Sequence, residues 1–428
     1  MDVLSQALHP DLASDISVTV QSDHIPCSDE GTGQLVGIQS FHVKGFRSLK
    51  DVEWRPAALN VLIGPNGAGK SNVLRLLELL VAAAEGKLGQ YVQMCGGMEA
   101  ILWDGEVSSV DLKLVCDPVG MQDGPEVYSL VLDRLGMNRF LVGNESLVNE
   151  ENVRSGKKHQ PFKMLERDKG RAVVFDEADH RLIPPDDSVH DEETLLSVAG
   201  VPFGSNKWIY QFRKYLSEIS IYQDVHVNRD AAIRQPSVTR FEKRLATDGK
   251  NLVSVLHTLY TSDRDFKAQI DEGMHAAFGD EFEALTFPPA ADQRIQLRIQ
   301  WKGLRHPQSA TDLSDGTLRF LLLMAILASP DRPSIIAVDE PEVGLHPAMF
   351  PIIAEYAVEA SRHSQIIFTT HSPQFLNAFQ GQTCTTSVVR WSNGETKIDI
   401  LNPATLAYWL KEYSLGELFV SGELEDLV

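Results

Sequence analysis

Cysteine is scarce in this chain. Cys27, Cys95, Cys116 and Cys384 are the four among 428 residues, and none stands in a C-x-x-C pair. That spacing argues against a zinc site and for the reduced thiols of a cytosol. Long apolar runs are also missing. The longest, Phe320–Ala328, is bracketed by Arg319 and by Ser329-Pro330, well short of the roughly 20 residues that span a bilayer. Acidic Asp2 follows Met1, without a basic-then-apolar signal pattern, so a cytoplasmic chain with no membrane partner is expected. Basic charge is in deficit, 39 Lys and Arg against 59 Asp and Glu, a net charge of −20. Such a surface does not coat nucleic acid broadly, and any contact with DNA or RNA would need a local basic patch. No heptad pattern or internal repeat appears. What remains is an ordinary globular composition, 43% hydrophobic and 23% charged, long enough for two or three domains.

The chain is organised around Gly64-Pro65-Asn66-Gly67-Ala68-Gly69-Lys70-Ser71, a complete G-x-x-x-x-G-K-S. Leu59–Ile63 reads as a short buried strand before it, and Asn72–Ala84 as a helix behind it. In that context the glycines turn backbone N–H groups onto phosphate oxygens, and the helix N-terminus adds its positive dipole end. Lys70 reaches the outer phosphates and the Ser71 hydroxyl can ligate Mg²⁺.

Residues 1–34 mix Asp, Ser, Gly and Pro and are expected to form a mobile tail. Residues 35–143 read as a first lobe. There an antiparallel pair (Val43–Leu49, then Asp51–Trp54) feeds the phosphate-loop strand, and a β-meander (Val107–Cys116, Val127–Leu132, Arg139–Val142) follows the helix. Residues 144–290 carry a basic stretch and then an acidic one, and are expected to be an insertion of polar loops and helices. Residues 291–428 form a second lobe. It has a half-buried strand at Ile295–Trp301, then helix Thr317–Leu327, strand Ile335–Val338, helix Met349–Ala360 and strand Gln365–Thr369. This is the rhythm of a parallel sheet.

The second lobe supplies the remaining chemistry. Ser334–Glu340 is an apolar strand that delivers Asp339 to its tip, where it can hold Mg²⁺ opposite Ser71. Glu340 is placed to polarise an attacking water. Strand Gln365–Thr370 ends at His371, which can hydrogen-bond the γ-phosphate or that water; taken alone, it would be a structural histidine. Leu313-Ser314-Asp315-Gly316-Thr317 opens a helix and reads either as an anion site or as a plain helix cap. Arg171–Glu177 is a second apolar strand ending in Asp-Glu. It precedes the Ser-Asp-Gly turn and is followed by no His-terminated strand, so it reads as a β-strand ending in a polar turn.

Gly64–Ser71, Leu313–Thr317, Val338–Glu340 and His371 resemble, in order, the Walker A, signature, Walker B with catalytic Glu, and switch His of ABC-type ATPases. Val43–Leu49, Asp339–Pro347 and Thr369–Pro373 are similar to the RecF/SMC-like branch, and within it to stand-alone AAA_21-type predicted ATPases. The resemblance runs from about Leu35 to the C-terminus. It implies an α/β P-loop NTPase fold with an ABC-type head: a mixed sheet, an antiparallel β subdomain and an α-rich insertion. It implies ATP bound by Gly64–Asn72, including Lys70 and Asn72, Mg²⁺ held by Ser71 and Asp339, and hydrolysis assisted by Glu340 and His371. Gln223, in Ile221–Asp224, stands as the candidate Q-loop ligand of the metal. Ser314 and Gly316 would meet the γ-phosphate of ATP on a second subunit, so that ATP closes a homodimer. The sequence departs from the family at Asp315, where Gly is common, and at Thr317, where Gln is; the Asp variant is compatible with this branch, but an acidic side chain near a polyphosphate would weaken closure.

Two functions follow. The first is an ATP-driven switch acting on DNA or a DNA-processing partner, in repair or phage defence. The second is a nucleotide-controlled protein-interaction module, toward which the net charge leans. A transporter engine fits the branch-specific phrases poorly. The few residues after His371 are expected to leave no room for a fused nuclease.

Overall fold

The computed structural model describes residues 36–426, apart from 105–106, 121–122, 137–138, 157–159, 169, 186–187, 203–205, 403–405, 407 and 412. The expected tail, 1–34, lies outside the described residues. Three strands lead into the phosphate loop: β1 (Ile38–Phe46), β2 (Leu49–Trp54) and β3 (Leu59–Ile63). After the helix Lys70–Glu85 come β4 (Ser109–Cys116), β5 (Glu126–Arg134), β6 (Phe140–Asn149), β7 (Phe162–Asp168), β8 (Arg171–Asp176) and β9 (Arg181–Ile183). With β1 and β2 they form an eight-stranded antiparallel sheet in the order β2-β1-β4-β5-β6-β7-β8-β9.

The meander is therefore twice as long as its sequence suggested, and the expected boundary at 143/144 falls inside β6. Part of the insertion read as polar loops and helices is strand: β7 and β9 flank β8, which falls on the expected strand Arg171–Glu177. Charged residues such as Lys163, Glu166 and Arg171 sit on its partly solvated face, with Met164, Leu165 and Val174 buried. A half-solvated strand carries enough charge to pass for loop when pairing partners are unknown. The helical part of the insertion begins at Leu195 and includes Lys207–Ser217, Leu252–Ser262 and Arg264–Phe278.

The central sheet has six strands. Its order is β10 (Ser220–Tyr222), β17 (Ile335–Asp339), β18 (Gln365–Thr370), β3, β19 (Thr385–Ser392) and β20 (Glu395–Ile400). All neighbours are parallel except β19 and β20. Two three-stranded sheets complete the fold. One holds β11 (Ser237–Val238), β13 (Pro289–Ala290) and β14 (Arg294–Ile295); the other holds β12 (Phe282–Thr286), β15 (Arg298–Trp301) and β16 (Gln308–Ser309). The single strand expected over 295–301 is thus two strands in two sheets. It breaks at Gln296-Leu297, where Gln296 N donates to Pro288 O and Leu297 O accepts from Ala310 N.

Strand periodicity assigns each face of the central sheet its own core. Val61, Ile63, Ile336, Val338, Ile366 and Phe368 join one core with the helices Leu252–Ser262, Asp315–Leu327 and Phe350–Ala360. Leu62, Ile335, Ala337 and Ile367 join the other, with the helix Lys70–Glu85 and the antiparallel sheet. Alternation on strands buried on both sides produces this division. The described residues pack as one compact unit, β3 lying between β18 and β19. Among the described residues no helix is long and apolar enough to cross a membrane.

Candidate active site

Parallel strands place their C-terminal ends on one edge, and the predicted site is built there. β3 ends at Ile63, and Gly64–Gly69 turns the chain into the helix Lys70–Glu85. Gly69, the residue before that helix, has φ 105°, and a Cβ there would sit 2.1 Å from Thr396 Oγ1. Only glycine fits, both for its φ and for the close approach. Pro65, Asn66 and Gly67 are exposed, whereas Ala68 and Lys70 are buried. Lys70 Nζ donates to the loop's own carbonyls, Gly64 O at 2.7 Å and Pro65 O at 3.1 Å. Burial pushes its ammonium below the ordinary lysine value, and the carboxylates of Glu340, Asp339 and Glu342 push it back up.

A chain of hydroxyls supports the loop from outside. Asn72 Nδ2 donates to Ser48 Oγ at 2.7 Å; Ser48 Oγ and Thr396 Oγ1 lie 2.7 Å apart; Thr396 Oγ1 donates to Ala68 O at 2.8 Å. Each hydroxyl has one proton, and a carbonyl only accepts. The chain therefore runs from the Asn72 amide through Ser48 and Thr396 to Ala68.

β17 and β18 bring the acidic groups to the loop. Ser71 Oγ donates to Asp339 Oδ2 at 3.2 Å, while Thr369 Oγ1 holds the other Asp339 oxygen. Glu340 has φ 45°, a left-handed conformation that costs a non-glycine residue about 1–2 kcal/mol. Two contacts hold it there: Glu340 N donates to Thr369 O at 3.0 Å, and its Oε1 lies 2.8 Å from His371 Nδ1. Strain maintained at a carboxylate aimed at a histidine points to function. Glu342, buried and held by Thr370 Oγ1, has Oε1 4.0 Å from the same His371 nitrogen. Burial raises its carboxyl above the ordinary range, against the pull of Thr370 and His371.

Gln223 follows β10, which pairs in register with β17 so that Tyr222 faces Val338. It shares a cleft with Arg319, Asp339, Glu340 and Pro341, and its Nε2 is buried without a partner. Ser314 and Gly316 stand outside this set of contacts. Ser314 caps the helix Asp315–Leu327, its Oγ accepting from Thr317 N at 3.1 Å and lying 2.8 Å from Thr317 Oγ1. A Cβ on Gly316 would stand 2.6 Å from Gly344 O, so the signature turn packs on the turn after β17. Among the described residues no hydrogen bond or ion pair joins Ser314 or Gly316 to Gly64–Ser71. The structure thus unites Lys70, Ser71, Asp339, Glu340, His371 and Gln223; the signature turn packs on the loop after β17 without bonding the phosphate loop, and Ser314 is exposed.

The second Asp-Glu pair is not part of this edge. Asp176 ends β8 of the antiparallel sheet, and Glu177 Oε1 accepts from Lys207 N at 2.6 Å. Sequence reasoning passed over Thr396, Thr369, Glu342 and Arg234. Of these only Glu342 carries a local signal, the repeated acid in Asp339-Glu340-Pro341-Glu342.

Comparison with known proteins finds ATPase domains in the chain. The AAA_21 family, described as "AAA domain, putative AbiEii toxin, Type IV TA system", matches residues 164–377, half of the chain. The AAA_15 family, an AAA ATPase domain, matches residues 37–126, which hold the phosphate loop. The OLD nuclease of Thermus scotoductus is 23% identical over 355 residues, which is 80% of this chain and 61% of that protein. The chain therefore spans about three fifths of its relative's length. The Smc head bound to the C-terminal winged-helix domain of ScpA superposes with a TM-score of 0.54 at 13% identity, covering 87% of this chain and 99% of that one. The Smc head with an extended coiled coil, bound to the C-terminal domain of ScpA derived from Pyrococcus furiosus, gives 0.54 at 13% identity over 88% and 99%. The fold is that of an SMC-type head.

Proposed function

The chain belongs to the AAA_21 family of ATPase domains, and from that premise we propose that it binds ATP with Mg²⁺, hydrolyses it, and is closed by it into a homodimer. The observation that carries this reading is the meeting of two pairs at adjacent strand ends: Ser71 with Asp339, and Glu340 with His371. In this reading Lys70 exchanges the carbonyls of Gly64 and Pro65 for phosphate oxygens, a charge-assisted contact. The backbone of Gly64–Ser71, with the side chain of Asn72 tied to Ser48, keeps the loop open for them.

The donor set fits Mg²⁺. A hydroxyl, a carboxylate and a neighbouring amide are hard-oxygen ligands, and among the described residues no three His, Cys, Asp or Glu converge as a protein cage. An ion with so few protein ligands keeps waters and phosphate oxygens, as Mg²⁺ does. Ser71, Asp339 and Gln223 would hold it, and it would neutralise charge on the transferring phosphate. Glu340 then orients the attacking water and accepts its proton, while His371 fixes the Glu340 carboxylate. Ser314 and Gly316, exposed and half-exposed, meet the γ-phosphate held by the other subunit.

For the target we favour DNA or a DNA-processing partner, in repair or phage defence, supported by the likeness to a nuclease. A second reading, a nucleotide-controlled module that grips a protein, is favoured by the net charge of −20. The two are separated by measuring ATP turnover alone and with double-stranded DNA, single-stranded DNA or RNA. Stimulation by one of these supports the first, and indifference to all three supports the second. Lys70→Ala should abolish turnover and weaken nucleotide binding in either case; retained turnover would remove the assignment.

A further inference from the structure

The signature edge contains an acidic residue where a phosphate is expected, and the fold supplies its counter-charge from a distant segment. Asp315, 63% exposed, follows Ser314 in the first turn of its helix, and its carboxylate pairs with the guanidinium of Arg234, whose side chain is 3% exposed. Arg234 lies in the insertion, in the short turn Ala232–Arg234. Its remaining donors serve backbone carbonyls. Nη1 donates to Ala310 O at 2.9 Å and Leu313 O at 2.7 Å, and Nε donates to Val227 O at 2.7 Å. One buried cation thus fastens the turn before Ser314 to the segment that follows Gln223. A planar guanidinium, with five donors in a fixed fork, suits this many acceptors in a way an ammonium does not.

Resting on the ATP-closed dimer proposed above, we infer that Arg234 is the positioning residue of the signature edge: it shapes the turn that presents Ser314 and neutralises Asp315, so that this edge can approach a second subunit's polyphosphate. Without the cation, a bare carboxylate stands one residue from Ser314 and repels the incoming phosphate. Like charges brought together at an interface suppress association strongly. Arg234 touches neither the subunit's own phosphate loop nor Lys70 in any hydrogen bond or ion pair among the described residues. Its removal should therefore act on closure and spare nucleotide binding.

The test uses the full chain with Glu340→Gln, to stop turnover, and reads two quantities: affinity for a fluorescent ATP analogue, and mass by light scattering with ATP and Mg²⁺. Arg234→Gln keeps an amide donor for the carbonyls and removes the charge. It should bind nucleotide like its parent yet dimerise at least about tenfold more weakly, the scale of an interfacial like-charge pair. Adding Asp315→Gly to Arg234→Gln should restore most of that loss. Raised salt should do the same in part, because screening acts on the exposed carboxylate. A merely structural arginine predicts neither rescue. Arg234→Gln that dimerises like its parent, or is equally impaired with and without Asp315→Gly, overturns the inference. Asp315→Lys in the otherwise intact protein covers the case in which Arg234→Gln does not fold. It keeps Arg234 and places a second cation on the edge, so dimerisation at least as tight as the parent's supports the charge argument and weaker dimerisation overturns it. A parent that stays monomeric with saturating ATP contradicts the closed dimer itself, and this inference with it.

Discussion

Thr396 offers a sharp perturbation, because one hydroxyl there holds the phosphate loop from a strand at the sheet edge. Thr396→Val keeps the shape and the β-branch and deletes only the hydroxyl, so no cavity forms. The residue is 1% exposed, so water does not readily replace what is lost. The Ala68 carbonyl loses its 2.8 Å donor and Ser48 loses its 2.7 Å partner. Leaving a buried acceptor without its donor costs about 1–3 kcal/mol. If that looseness is repaid on ordering the loop around phosphate, nucleotide affinity falls about 5- to 150-fold. The assay is titration of a fluorescent ATP analogue into wild type, Thr396→Val, Ser48→Ala and the double variant. Ser48→Ala cuts the same chain one link nearer to Asn72, so the double variant should be little worse than either single one. Normal affinity in Thr396→Val, or additive losses, would refute the hydroxyl chain.

Further predictions concern other parts of the molecule. His371→Ala should retain nucleotide affinity and lower turnover by about 10–100-fold, as expected of a residue that orients another; equal losses in affinity and turnover would place it on the phosphate instead. Glu177→Gln should leave turnover at the wild-type level, because Glu177 serves Lys207 N and not the strand edge; a loss comparable to that of Glu340→Gln would reverse the choice of strand. Burial raises the Glu145 carboxyl, outweighing the backbone N–H groups of Leu196 and Leu195 and the Tyr128 hydroxyl. Between the ordinary glutamate value and that raised one, the folded chain keeps a proton the unfolded chain has lost. Stability should therefore fall as pH rises through the window, and Glu145→Gln should flatten that slope in urea-unfolding midpoints. An unchanged slope would show that Glu145 is not raised.

The parts legible in the sequence are those whose chemistry is contiguous. Gly64–Ser71 carries its own turn, Ile335–Asp339 its own apolar strand, and Gln365–His371 its own exit residue, so each could be placed by spacing alone. The βα alternation of the second lobe likewise gave the parallel sheet, and the helix Asp315–Leu327 began two residues before its expected start. What escaped depends on partners far along the chain. Arg234 meets Asp315 across 81 residues, and Thr396 meets Ser48 across 348; nothing local in either neighbourhood signals the contact. β7 and β9 were hidden for a different reason: one face of that sheet is partly solvated, and its charges imitate a loop. The break at Gln296-Leu297 was invisible because alternation continues through it while the hydrogen-bond partners change.

The central claim, that ATP is hydrolysed where the Lys70 helix meets the ends of β17 and β18, is tested most directly by phosphate release from purified protein with ATP and Mg²⁺, for wild type beside Glu340→Gln. Glu340 lies 2.8 Å from His371 and is held in a strained backbone conformation at the tip of β17. Its amide replacement keeps the shape and removes the base. Turnover in the wild type and a loss of about two to four orders of magnitude in Glu340→Gln, with ATP still bound, is the result predicted. Equal turnover in the two proteins would contradict it.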